Sequence, residues 1–161
     1  MIRLVSAAAI LVAVGTLLAP DAASAQTHPL PFSATFSGAA AFTSQTTTSF
    51  TGAGNATHMG QIVTMGYALI TGSDNTGCAG GIANTNVETL TAANGDALTI
   101  TSVDVACPTG PGQYHGTGHW VVTAGTGRFS DARGDGSFDG NSDFGAGTFA
   151  IRLTGTVVLD H

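Results

Sequence analysis

Polar and apolar residues alternate along most of this chain. Phe32, Ala34, Phe36, Ala40 and Phe42 fall on one side of the segment 32–42, and Ser33, Thr35 and Ser37 fall on the other. Near the C-terminus Phe149, Ile151, Leu153, Val157 and Leu159 alternate with Thr148, Arg152, Thr154 and Thr156. A period of two marks a strand with one buried and one solvated face. Past residue 30 no apolar pattern follows the helical period. The alternation predicts about eight strands, at 32–42, 45–53, 60–71, 82–91, 97–106, 113–124, 129–139 and 146–159.

Turn chemistry separates these segments. Asn94-Gly95-Asp96 predicts a type I′ hairpin, because Asn and Gly accept its positive φ. Gly125-Thr126-Gly127 predicts a second tight reversal, while 72–81 and 108–112 read as longer loops. Connections this short hold no crossover helix, so the sheet is expected to be antiparallel. The fold class is therefore all-β in a single domain. Closure into an eight-stranded barrel removes exposed edges; a two-sheet sandwich is the alternative. Such a barrel has room inside for packed side chains or one small ligand.

The first residues read as an address. Arg3 precedes an uncharged run from Leu4 to Ala19, Pro20 and Asp21 end it, and Ala23-Ser24-Ala25 offers small residues for cleavage. This is the layout of a secretory signal peptide at 1–25, followed by a domain at 26–161. The run falls short of the roughly 20 apolar residues that span a bilayer. The domain is thus expected to be soluble, and secreted or periplasmic.

Composition narrows the function. Only 9% of the 161 residues are charged, and there is no lysine. With a net charge of −6 the chain has little with which to neutralise phosphates, which argues against nucleic acid as a partner. A polybasic membrane-surface role fails for the same reason. At 43% hydrophobic, the chain is not a charge-rich disordered one. Cys78 and Cys107 are the only cysteines, an even number that reads in an exported chain as one disulfide. Two free thiols are the alternative. The loop such a bond closes is worth roughly 3 kcal/mol.

Residues 121–134 read Val-Val-Thr-Ala-Gly-Thr-Gly-Arg-Phe-Ser-Asp-Ala-Arg-Gly. This resembles the GGTG-(R/K)-F-x-x-A-x-G segment of the allene oxide cyclase and dirigent barrels. Gly125, Thr126, Gly127, Arg128, Phe129, Ala132 and Gly134 match, and Ala124 replaces the first glycine. Gly54-Asn55-Ala56-Thr57-His58-Met59-Gly60 and Ala93-Asn94-Gly95-Asp96 are similar to stretches of small exported bacterial proteins of that group. The resemblance implies a barrel in which Phe129 plugs one end, while Ala132 and Gly134 leave space where strands coil tightly. It also implies a homotrimer and a lumen that holds a hydrophobic small molecule, in some members to steer a cyclisation or radical coupling. Arg133 matches an arginine of the family segment; dirigent pockets use arginine and aspartate as polar partners. Activity does not transfer with a fold.

Candidate chemistry is sparse. Arg133, Asp135 and Asp139 share one strand face, and inward they would form an acid–base site, because a buried charge needs a partner. Outward they would be solvated. Glu88, the one glutamate, would have a raised pKa if it pointed into the lumen and could act as an acid. His58 is either a general base or a residue bonded to its own turn. Asp139-x-Asn141-x-Asp143 begins like a calcium loop, but Phe144 and Ala150 stand where such a loop needs glycine and glutamate. A solvated hairpin is the plainer reading. His115 and His119 lie on one strand face roughly 13 Å apart, too far to share a metal. His161 is the last residue and carries no reading. Gly110 to Gly118 is rich in glycine, but no helix follows to make a phosphate cradle.

These readings predict an exported antiparallel barrel that binds a small hydrophobic molecule, with no cofactor and no metal. The expected lumen wall is Phe36, Phe42, Trp120, Phe138, Phe149, Ile151 and Leu153. A cyclase or isomerase with a polar residue in the lumen is one alternative, with Arg133, Asp135, Glu88 and His58 as its candidates. A structural or surface protein with a filled barrel is the other.

Overall fold

The computed structural model describes residues 28–159. The expected signal peptide at 1–25 and the terminal His161 lie outside the described residues. Eight strands follow one another: β1 (Leu30–Phe42), β2 (Thr47–Ala56), β3 (Gly60–Ser73), β4 (Ile82–Ala92), β5 (Ala97–Gly110), β6 (Gln113–Gly125), β7 (Arg133–Asp143) and β8 (Thr148–Val158). Each pairs antiparallel with the next, and β8 returns to β1, so the sheet closes into an up-and-down barrel. The sandwich alternative is thereby set aside.

The alternation explains the closure. Phe32, Ala34, Phe36 and Ala40 of β1 and Phe149, Leu153 and Val157 of β8 are buried, while the threonines and serines between them face outward. In β3 the row Ile62 and Thr64 turns inward, and Val63, Met65, Tyr67 and Leu69 form an exposed apolar stripe.

The connections divide between two ends. The turns after β2, β4 and β6 lie at one end with the start of β1, and this end is sealed. Met59 from the first turn and Phe129 from the third are both buried there. A 3-10 turn over Gly127–Phe129 carries that phenylalanine. Above the seal Phe32 and Trp120 meet edge to face at 5.4 Å, and the Trp120 indole N–H donates to the Thr154 carbonyl at 3.3 Å. Backbone must give way to so large a ring. A Cβ on Gly155 would stand 2.7 Å from the Gly136 Cα and 2.8 Å from the Trp120 ring, so only glycine fits.

Three local expectations need correction. The seventh strand begins at Arg133, not 129, because Gly127 (φ 58°) opens the 3-10 turn and Phe129 folds inward. The segment 108–112 is mostly strand: β5 runs to Gly110, which pairs with Gln113, leaving Pro111-Gly112 as the turn. Pro108 is tolerated because the register shifts beside it. At Asn94-Gly95-Asp96 only Gly95 has positive φ, at 90°. Its N–H donates to Ala92 while the Ala92 N–H donates to Asp96, both at 2.9 Å. A type I′ turn needs positive φ at two central residues, so this is the three-residue loop closed by a glycine bulge.

At the open end a disulfide joins Cys78, in the loop after β3, to Cys107 of β5, with the Cα atoms 5.9 Å apart. It ties that loop to the barrel wall across 29 residues of sequence. Cys78→Ser is expected to lower the melting temperature by about 10 °C, the equivalent of roughly 3 kcal/mol. Thermal unfolding followed by circular dichroism checks this; an unchanged midpoint would mean that the bond adds nothing.

Candidate functional site

The barrel is filled at one end and hollow at the other. Toward the sealed end the inward rows carry large residues: Phe32, Leu90, Leu98, Ile100, Trp120 and Leu153. Toward the open end small residues, Ala40, Ala68, Ala106, Gly116 and Gly140, take their place. The volume they leave is a cavity of about 260 Å³ that opens between the loops. Its walls are Phe42, Phe50, Ile70, Ile82, Tyr114, Phe138, Phe144, Phe149 and Ile151. The rings brace one another, with centroids 4.6 Å apart for Phe42–Phe144, 5.9 Å for Tyr114–Phe144 and 5.2 Å for Phe50–Phe149.

One sector of this apolar chamber is polar. Asn84 and Asn86 of β4 stand opposite Asp104 and Ser102 of β5. The Asn86 amide donates to Asp104 Oδ1 at 2.6 Å and to Ser102 Oγ at 3.0 Å. The Asn84 amide donates to Asp104 Oδ2 at 3.3 Å. Asn84, Asn86 and Asp104 all line the cavity. Burial raises the Asp104 pKa, and the two amide bonds oppose that rise.

Glu88 lies one step deeper on the same row of β4, 1% exposed. A Cβ on Gly66, its neighbour on β3, would lie 2.7 Å from the Phe50 ring. Phe50 and Asn86 line the cavity, and Glu88 does not. Neither Glu88 carboxyl oxygen has a hydrogen-bond partner, and the Thr64 hydroxyl on β3 is also without one. Desolvation, followed by the proximity of Asp104, pushes the Glu88 pKa from 4.5 up to about 8. The two acids are thus a buried carboxyl pair with opposite circumstances. Asp104 is bonded and reaches the cavity; Glu88 is unbonded and does not.

The sequence candidates separate cleanly. Glu88 is inward. Arg133 and Asp135 are exposed on the outside of β7, and Asp139 likewise, so the inward arrangement of these three does not form. Alternation decides their facing: Gly134, Gly136 and Phe138 take the inner row. His58 is exposed in the turn after β2, held at φ 65°. Its ring N–H donates to the Pro31 carbonyl at 3.0 Å, and its own carbonyl accepts from Arg128. It therefore serves its turn at the sealed end, far from the cavity.

Of the expected wall, Phe42, Phe138, Phe149 and Ile151 line the cavity. Phe36 packs behind Phe149 at 6.2 Å, and Trp120 and Leu153 are buried in the filled half; these three do not line it. Asp139 and Asn141 lie within β7 rather than in a turn. Asp143 ends that strand and caps the turn beyond by accepting the Ala146 N–H at 2.9 Å. That bond, with the Gln113 amide, lowers its pKa. Among the described residues no three His, Cys, Asp or Glu side chains cluster as metal ligands. His115 bonds Asn141 and faces outward with His119.

Asn84, Asn86, Ser102 and Asp104 went unnoticed in the sequence. Their signal was present: they continue the inward phase of Leu90, Leu98 and Ile100, so polar residues occupied core positions. Comparison of the chain with protein-family models, with curated proteins and with solved structures gives no match.

The Glu88 carboxyl makes stability depend on pH. Its proton is held to about pH 8 in the folded barrel but leaves near 4.5 in the unfolded chain. The resulting stability is complete below about pH 4.5 and is lost as pH rises through about 8, on the order of 5 kcal/mol over the whole window. Denaturant unfolding of the native protein from pH 4 to 9 should show this decline, and Glu88→Gln should flatten most of it. Parallel profiles for the two proteins would count against the buried acid.

Proposed function

We propose that this chain is an exported barrel that binds a small hydrophobic molecule in the lumen at its open end. The observation that carries the reading is the cavity itself, apolar on most sides with a few polar groups converging at one place. That is the usual character of a small-molecule site. The hollow half also weighs against the filled structural barrel. An apolar cavity of about 150 Å³ accommodates benzene, so 260 Å³ suits a body of about ten non-hydrogen atoms. The leader-like first residues and the disulfide support export. The closed barrel and the buried Phe129 agree with what the allene oxide cyclase and dirigent resemblance implies.

A specific observation favours a second reading, a cyclase or isomerase. Glu88 and Asp104 are two interacting acids beside the chamber, one of which keeps its proton near neutrality. Such a pair is suited to give and accept protons. Turnover would then add to binding rather than replace it.

Two experiments address the binding reading. Native mass spectrometry of protein recovered from its own host's medium should retain a small co-purifying molecule, and the same spectrum counts the subunits of the expected trimer. Naphthalene is the first probe for calorimetry. Ala68→Phe places a ring in the cavity and is expected to weaken naphthalene binding at least ten-fold while the fold persists. Naphthalene binding that survives this filling lies elsewhere, and the lumen reading then fails.

A further inference from the structure

The charge that lines the chamber is all of one sign. Asp104 accepts two amide hydrogens, leaving about half of its carboxylate lone-pair positions open. The donors that could have satisfied them, Asn84 and Asn86, are already engaged. Among the described residues no cation answers Asp104 from within: there is no lysine, and Arg128, Arg133 and Arg152 are all exposed. Beneath Asp104 lies Glu88, buried with both oxygens unpartnered. A buried carboxylate without a counter-charge is costly, and the cost falls when a cation arrives to pair with it.

The walls point the same way. A Cβ on Gly116 would stand 2.7 Å from Asp104 Oδ2 and 3.5 Å from the Phe138 ring. The bare backbone there leaves one spot that both the carboxylate and an aromatic ring adjoin. Phe50, Phe149 and Tyr114 enclose the same chamber. Aromatic walls beside a carboxylate suit an ammonium group, which gains from the ring quadrupoles as well as from the charge. An anionic ligand meets the Asp104 carboxylate and, among the described residues, no cation lining the chamber.

We propose that the lumen selects a small apolar amine, whose protonated nitrogen binds Asp104 beside Phe138 while its hydrocarbon body fills the aromatic chamber. This rests on the lumen being a binding site. Asp104 is the ligand-binding residue, Asn84 and Asn86 position its carboxylate, and Glu88 below it brings no positive charge that would oppose the ammonium.

Three probes of nearly equal size separate the chemistry: 2-phenylethylamine, 2-phenylethanol and phenylacetate, titrated calorimetrically into the full folded protein at neutral pH. The amine is expected to bind at least ten-fold more tightly than the alcohol, with phenylacetate weakest. Asp104→Asn should bring the amine down to the level of the alcohol and leave the alcohol nearly unchanged. Phe138→Leu should weaken the amine more than the alcohol, which keeps the test open if the Asp104 variant does not fold. Equal or tighter binding of the alcohol or phenylacetate by the native protein overturns the amine selectivity, and so does a preference that survives Asp104→Asn. If naphthalene binds but the amine has no advantage, only the selectivity is wrong. If neither naphthalene nor any of the three binds, the lumen is no binding site and both conclusions fall.

Discussion

Eight antiparallel strands closed on themselves enclose a fixed cross-section, and every inward side chain must share it. The rest of the molecule follows from how that volume is divided. Where the inward rows carry Phe32, Trp120, Leu98 and Leu153, the interior is solid and glycines such as Gly136 and Gly155 must retreat to admit the rings. Where they carry Ala40, Ala68 and Gly116, it is hollow. Fold and site are therefore one pattern of side-chain sizes read along the same strands. A substitution that enlarges one row must be answered in another.

The polar sector depends on this division. Asn84, Asn86, Ser102 and Asp104 are buried or half-buried, yet they stand where the packing is open and one carboxylate can face a cavity. Glu88, deeper on the same row, is fully buried and does not reach the cavity. Two acids on adjacent strands are thus placed in different media by a difference of two inward positions. Burial costs both of them, but Asn84 and Asn86 compensate only Asp104.

Much of the fold was legible because alternation is a local signal. All eight expected strands are present, with ends displaced by a few residues at β2, β5 and β7, and the disulfide joins the two segments that a meander brings to one end. What was lost was lost at turns and at facing. The seventh strand started late because Phe129 is apolar in the strand phase yet belongs to a turn, which periodicity alone cannot separate. Asn94-Gly95 occurs in more than one hairpin type, and the neighbouring Asp96 and Ala92 bonds decide which. Arg133 and Asp135 drew attention as charges, yet their neighbours Gly134 and Gly136 held the inner row because only small residues fit there. Phe36, Trp120 and Leu153 were correctly inward, but a sequence does not say at what height a cavity begins. Asp104 continues the inward phase of Leu98 and Ile100, but a polar residue in a run of β-formers reads as solvated unless that phase is followed through it.

The seal at the far end has its own consequence. Arg128 reaches the His58 carbonyl and lies 3.7 Å from Asp96, lacing together the three turns that cover Met59 and Phe129. Among the described residues a chamber closed in this way opens at one end, and on the proposed binding reading its contents would exchange there. Water inside must depart along the path by which an occupant arrives, so filling is a displacement rather than a flow. On the proposed binding reading, the rim of Phe42, Tyr114 and Phe144 stands where an occupant would enter and leave.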